Sequence, residues 1–123
     1  MKLKILIVDD KVPFLDTVVK YLNLNKKIGL ITWALNGSEA VTKIKKYNPD
    51  LILIDFSLPD INGLQLLREV KMNNNEQKIA VLTLHDDPEY RNEAKAAGAD
   101  GFIAKTDFVE LFPQLLEKIF PGY

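Results

Sequence analysis

Four consecutive aliphatic residues, Leu51-Ile52-Leu53-Ile54, run straight into a carboxylate at Asp55. The run is entered through Asn48-Pro49-Asp50 and left through Leu58-Pro59-Asp60. An apolar segment this short between chain breakers reads as a strand, and with no polar side chain to turn toward water it must be covered on both faces. Such strands belong to parallel sheets with helices on each side. Open sheets of that kind bind ligands beyond the carboxyl ends of their strands, which puts Asp55 where chemistry is done. A strand-end Asp that caps a turn is an equal rival at this point, since Asp is a common turn residue.

The rest of the chain repeats the same unit. Leu3 to Val8 is a second aliphatic block ending in carboxylates, Asp9-Asp10. Phe14, Leu15, Val18, Val19 and Leu22 then recur at helical spacing behind Pro13, predicting a helix over about 12–25. Ile28 to Ala34 reads as a strand, and Asn36 with Glu39 as a capping box opening a helix through Lys46. After the strand to Asp55 and the loop Pro59-Asp60-Ile61-Asn62-Gly63, the stripe Leu64, Leu66, Leu67 and Val70 marks a helix that dissolves in the polar run Met72 to Gln77. Lys78 to Leu82 or Thr83 is a fourth strand. Asp87 and Pro88 open a helix closed by Gly98. A fifth strand over Gly101 to Ala104 leads to a last helix, capped by Thr106 or Asp107, with Leu111, Phe112, Leu115, Leu116 and Ile119 inward. Pro113 falls inside that stripe and predicts a kink, or an opening turn ahead of the main helix.

Strand and helix alternating five times predict an α/β fold, a doubly wound five-stranded parallel sheet with five helices. Right-handed crossovers favour the flavodoxin-like order 2-1-3-4-5, which makes the first and third strands neighbours. Asp9, Asp10 and Asp55 then converge at one switch point. At 123 residues the chain is one domain. Sixteen basic against seventeen acidic side chains leave no basic field to hold nucleic acid. The absence of cysteine excludes disulfides, thiolate metal sites and thiol nucleophiles. The N-terminal apolar run is too short for a signal peptide or membrane span, so a soluble cytoplasmic protein is the expectation.

Three carboxylates in one crevice repel one another unless a counter-charge is present. A divalent cation held by carboxylates, a backbone carbonyl and waters would supply it, and that donor set suits Mg²⁺. Lys105 at the end of the fifth strand adds a positive charge, and Thr83 at the end of the fourth adds a hydroxyl. Together they form a clamp for a transferring phosphoryl group, with Asp55 the best placed nucleophile.

Asp9-Asp10, Asp55 in Asp55-Phe56-Ser57-Leu58-Pro59-Asp60-Ile61-Asn62-Gly63, Thr83, and Ala97-Gly98-Ala99-Asp100-Gly101-Phe102-Ile103-Ala104-Lys105 closely resemble a response-regulator receiver domain, over essentially the whole chain. The resemblance implies that Asp55 accepts a phosphoryl group from a phosphohistidine on a sensor histidine kinase or phosphotransfer protein. It implies Mg²⁺ bound by Asp10, Asp55 and the Ser57 carbonyl, with Asp9 acting through water. Lys105 would contact the phosphoryl group, Thr83 would be drawn toward it, and Phe102 would be the switch aromatic whose burial follows. The output face would be the fourth helix, fifth strand and fifth helix, where many family members homodimerise or dock partners. The chain would catalyse its own phosphoryl transfer and slow autodephosphorylation, as a stand-alone receiver or the N-terminal part of a longer, DNA-binding regulator.

Two departures from the family stand out. Lys105 is followed by Thr106 rather than Pro, which predicts a trans peptide there. Leu84 replaces the small residue usual after the switch Thr, and a bulkier side chain over the site would slow attack by water. Taken singly, Asp9-Asp10 read as a helix cap, Phe102 as core, Lys105 as a solvated charge, Trp33 and Tyr21 as packing aromatics, and His85 as a solvated loop residue. An aspartate-nucleophile phosphatase needs a second Asp two positions after the first, where this chain has Ser57. Nucleotide binding lacks a P-loop or Gly-x-Gly-x-x-Gly turn after the first strand. A receiver fold used as a phosphorylation-independent interaction module is the remaining alternative.

Overall fold

Strand and helix alternate through the computed structural model, which describes residues 2–84 and 87–123. The strands are β1 (Leu3–Val8), β2 (Ile28–Ala34), β3 (Leu51–Asp55), β4 (Lys78–Thr83) and β5 (Gly101–Ala104). The helices are α1 (Val12–Asn23), α2 (Gly37–Tyr47), α3 (Gly63–Asn73), α4 (Pro88–Ala96) and α5 (Phe108–Ile119). All strand pairs are parallel, in the order β2-β1-β3-β4-β5. This is the doubly wound sheet expected from the alternation of elements. His85 lies outside the described residues.

Successive strand residues point to opposite faces, and each face has its own core. Leu3, Ile5, Ile7, Leu51, Leu53, Ala80, Leu82 and Ile103 meet Leu15, Val18 and Leu22 of α1 and Phe108, Phe112, Leu115 and Leu116 of α5. Leu6, Val8, Ile52, Ile54, Ile79 and Val81 meet Ala40 of α2, Leu64, Leu66, Leu67 and Val70 of α3, and Ala94 of α4. Every residue of β3 is buried. With about 1.5–3 kcal/mol gained per fully buried aliphatic side chain, the central strand anchors the site at its end.

Helix starts follow the local chemistry. Asn36 caps α2 by accepting from the Glu39 N–H at 2.8 Å, while Glu39 Oε1 accepts from the Leu35 N–H. Asp87 accepts from the Glu89 N–H ahead of Pro88, and Gly98 closes α4 at φ +103°. The last helix differs from expectation. Neither Thr106 nor Asp107 caps it with a side chain, because a 3₁₀ turn at Lys105–Asp107 runs directly into α5 and the Phe108 N–H donates to the Lys105 carbonyl. Pro113 stays inside α5 on its exposed face, as does Val109, whose carbonyl it leaves without a helical donor. Trp33 is also less of a packing residue than expected. It sits on the edge strand β2, 44% exposed, with the Lys43 ammonium 5.7 Å from its ring centroid. Tyr21 does pack, edge-on against Phe108 and Phe112.

Candidate functional site

Parallel pairing places the ends of β1, β3, β4 and β5 side by side. Val8 is in register with Ile54, Asp55 with Leu82, and Thr83 with Ala104. The next residues along these strands are therefore neighbours, and one carboxylate oxygen from each of Asp9, Asp10 and Asp55 lies within 4.8 Å of the other two. Asp9 and Asp55 are buried, whereas Asp10 faces solvent. Lys105 closes the crevice from the β5 side. Its ammonium is 2.6 Å from Asp9 Oδ2, 3.2 Å from Asp55 Oδ1, and 4.7 Å from the centroid of the Phe14 ring on α1. Although the charges meet closely, Asp9 Oδ2 has no well-formed hydrogen bond, while Asp9 Oδ1 accepts from the Lys11 N–H at 2.8 Å.

One residue at the site escaped the sequence reading. The Lys11 ammonium lies 2.7 Å from Asp10 Oδ1, 3.0 Å from Asp55 Oδ2 and 2.9 Å from the Ser57 carbonyl oxygen. The signal was present in its position. Lys11 is the N-cap of α1 and makes no side-chain cap, where Ser, Thr, Asp or Asn is preferred, and its charge faces the positive end of the helix dipole. A helix start so poorly chosen locally points to a role in the crevice.

The two adjacent carboxylates are pushed in opposite directions. Burial raises the Asp9 carboxyl above its ordinary range, against the pull of Lys105 and the Lys11 N–H. The Lys11 hydrogen bond holds Asp10 below its ordinary range. Burial works against the charged form of Lys11, yet its bonds to Asp10 and Asp55 outweigh that and raise its pKa.

The loop after Asp55 is fixed from several sides. Phe56 donates its N–H to the Leu82 carbonyl and packs against Tyr90 of α4, ring centroids 4.4 Å apart and the ring planes tilted by 33°. Asp60 accepts from the Gly37 and Ser38 N–H groups at 2.8 and 3.1 Å, which lowers its pKa and ties the loop to the start of α2. Gly63 can be nothing larger, because a Cβ there would come within 2.3 Å of the Asp55 carbonyl oxygen. Thr83 is buried at the end of β4. Phe102 is half-buried against the α3 and α4 side of the sheet, with the Arg91 guanidinium 5.5 Å from its ring centroid. The Lys105–Thr106 bond is trans, as the missing proline predicts, and Leu84 is 61% exposed.

Residues 5–116 match the response regulator receiver domain family. The chain belongs to that family. It is 33% identical over 104 residues to the transcriptional regulatory protein DegU of Brevibacillus brevis, covering 85% of this chain and 44% of that protein. It is 31% identical over 102 residues to the chemotaxis protein CheY of Bacillus subtilis, covering 83% and 84% of the two chains. The solved structure of the chemotaxis protein CheY4 of Vibrio cholerae superposes with a TM-score of 0.87 at 28% identity, covering 98% of this receiver and all of that one. This receiver spans about half the length of the longer regulators it matches, 44% of DegU and 58% of a transcriptional regulator of Pseudomonas aeruginosa. As a receiver domain of the response-regulator type, it is a component of two-component signalling. Among the described residues no helix is long and apolar enough to cross a membrane.

Proposed function

We propose that this receiver is a phosphorylation-driven switch in which Asp55 is the phosphoacceptor. The observation that carries the reading is the place of the Asp55 carboxylate. It ends the fully buried central strand with one oxygen toward the Lys105 ammonium and the other toward Lys11, beside Asp9 and Asp10. An Asp55 oxygen would form a bond to phosphorus as the phosphorus–nitrogen bond of a phosphohistidine breaks. The leaving imidazole nitrogen keeps the bonding electron pair, and the donor is a sensor histidine kinase or phosphotransfer protein.

The donors fit Mg²⁺: they are hard oxygens only, and they already surround a cationic ammonium. Asp10, Asp55 and the Ser57 carbonyl would hold the ion, with Asp9 acting through water. When bound, it supplies Lewis-acid neutralisation of phosphoryl charge. Lys105 would pair with a phosphoryl oxygen, its stem fixed against Phe14. Thr83 would donate its hydroxyl, and Phe102 would change its burial beneath Arg91 as β4 adjusts. The surface of α4, β5 and α5 would carry the signal, through a second copy or through the effector of a longer regulator of which residues 1–123 form the receiver.

Incubation with Mg²⁺ and a phosphorylated histidine kinase, followed by intact-mass measurement, tests this directly. Wild type is expected to gain one phosphoryl group and Asp55→Asn none, with the fold of the variant checked by circular dichroism. A wild-type chain that takes no phosphoryl group from any phosphohistidine donor would be an interaction module independent of phosphorylation.

A further inference from the structure

The Lys11 ammonium rests on Asp10 Oδ1, Asp55 Oδ2 and the Ser57 carbonyl oxygen at 2.7, 3.0 and 2.9 Å. These are the three groups to which the proposed function assigns the metal. An ammonium and a divalent ion cannot occupy the same three-oxygen pocket together. Lys105 is not a competitor of this kind, for it meets the other oxygen of Asp55, is 5% exposed, and is held by Asp9 and the Phe14 ring. The Lys11 side chain is 45% exposed and can withdraw into water without opening the core. Its helix gains nothing from it, since Lys is a poor N-cap and its charge opposes the dipole.

We infer that Lys11 is a tethered counter-cation, which neutralises the acidic crevice before the metal arrives and which Mg²⁺ must displace in order to bind. The inference rests on the metal reading of Asp10, Asp55 and Ser57. Mg²⁺ meets a binding-competent crevice only for the fraction of time that Lys11 is withdrawn, and its apparent affinity falls by that fraction. Lys11 therefore sets the Mg²⁺ concentration at which the switch becomes able to react.

Calorimetric titration of the whole chain with MgCl₂ at fixed ionic strength tests it. Lys11→Met keeps the length of the stem and Lys11→Ala removes it. Lys20→Ala removes a charge from the same helix at a largely exposed pair with Asp16 and serves as the control. Both Lys11 variants are expected to bind Mg²⁺ about ten- to a hundredfold more tightly than wild type, the gain expected when a mostly closed site is opened, with Lys20→Ala close to wild type. In wild type, Mg²⁺ is also expected to move the Lys11 Cε–H NMR signal to the position of a solvated lysine, a readout independent of how any variant folds. Mg²⁺ binding with equal or weaker affinity in the Lys11 variants, or an unmoved Lys11 signal on Mg²⁺ binding, would overturn the inference and leave the metal site standing. No Mg²⁺ binding by any of the proteins would overturn the metal site and the inference together.

Discussion

Two lysines approach Asp55 from opposite sides, and their surroundings could hardly differ more. Lys105 is buried, paired with buried Asp9 and covered by the Phe14 ring, whereas Lys11 stands half in water and pairs with the solvent-facing Asp10. In the buried pair, attraction between the charges must offset the desolvation of both, so the loss of one partner strands the other. At the rim, water reaches the Lys11 and Asp10 side chains and screens their attraction, so either can exchange partners without opening the core. The same pairing of Asp with Lys thus builds a fixed floor and an exchangeable rim. The phosphorylation switch proposed above would need both: a floor that keeps Asp55 in place, and a rim that cations and phosphoryl oxygens can enter.

The hardest test of the floor is Lys105→Met, which keeps the stem and deletes the charge. It is expected to lower the unfolding free energy by about 3–5 kcal/mol in urea titrations near neutral pH, the range for breaking a buried pair. A loss below about 1 kcal/mol, typical of exposed pairs, would erase the distinction between floor and rim. The stranded group is identified by the double variant Asp9→Asn/Lys105→Met. With the Asp9 charge gone as well, it is expected to recover about 1–3 kcal/mol of that loss. Purely additive costs would mean that Lys105 acts on stability through Asp55 instead.

At the rim the expected effect is smaller. Asp10→Asn takes the negative charge out of the 2.7 Å ion pair with Lys11, but Asp10 and Lys11 are 35% and 45% exposed in their side chains. In divalent-free buffer the stability change is expected to stay within about 1 kcal/mol, after discounting for solvent screening. A loss as large as that of Lys105→Met would show that the rim is as rigid as the floor.

The floor was far more legible in the sequence than the rim. Aliphatic runs ending at Val8, Ile54, Leu82 and Ala104, with helices between them, permit few parallel orders, and any order that sets the first strand beside the third brings Asp9 and Asp55 together. Lys105 and Thr83 follow from the same strand ends. Lys11 was missed because it reads as the polar entrance of a helix, and only its poor fit to a cap position gives it away. The clamp of Asp60 on Gly37 and Ser38 joins residues more than twenty positions apart with no shared period, so no local pattern announces it. The exposure of Trp33 was available in principle, since the expected strand order already puts its strand at an edge. The side-chain cap expected for the last helix failed because the chain leaves β5 through a 3₁₀ turn, which a helical stripe beginning at Leu111 does not register.

The most delicate test of the comparison is the sign of its pH dependence. Asp9 titrates higher in the folded chain than its ordinary value of 3.8, because burial disfavours its charge. Its contribution to stability is therefore full below 3.8 and declines as the pH rises from there through its folded pKa. Asp10 titrates below 3.8 because Lys11 holds its charged form. Its contribution is full above 3.8 and declines as the pH falls through its folded pKa. Urea unfolding of wild type, Asp9→Asn and Asp10→Asn, each followed through the acid range in divalent-free buffer, separates the two. The stability of wild type relative to Asp9→Asn is expected to fall with rising pH just above 3.8, and relative to Asp10→Asn to rise with pH just below it. Slopes of the same sign would mean that floor and rim share one electrostatic environment, and that the burial of Asp9 does not govern its proton.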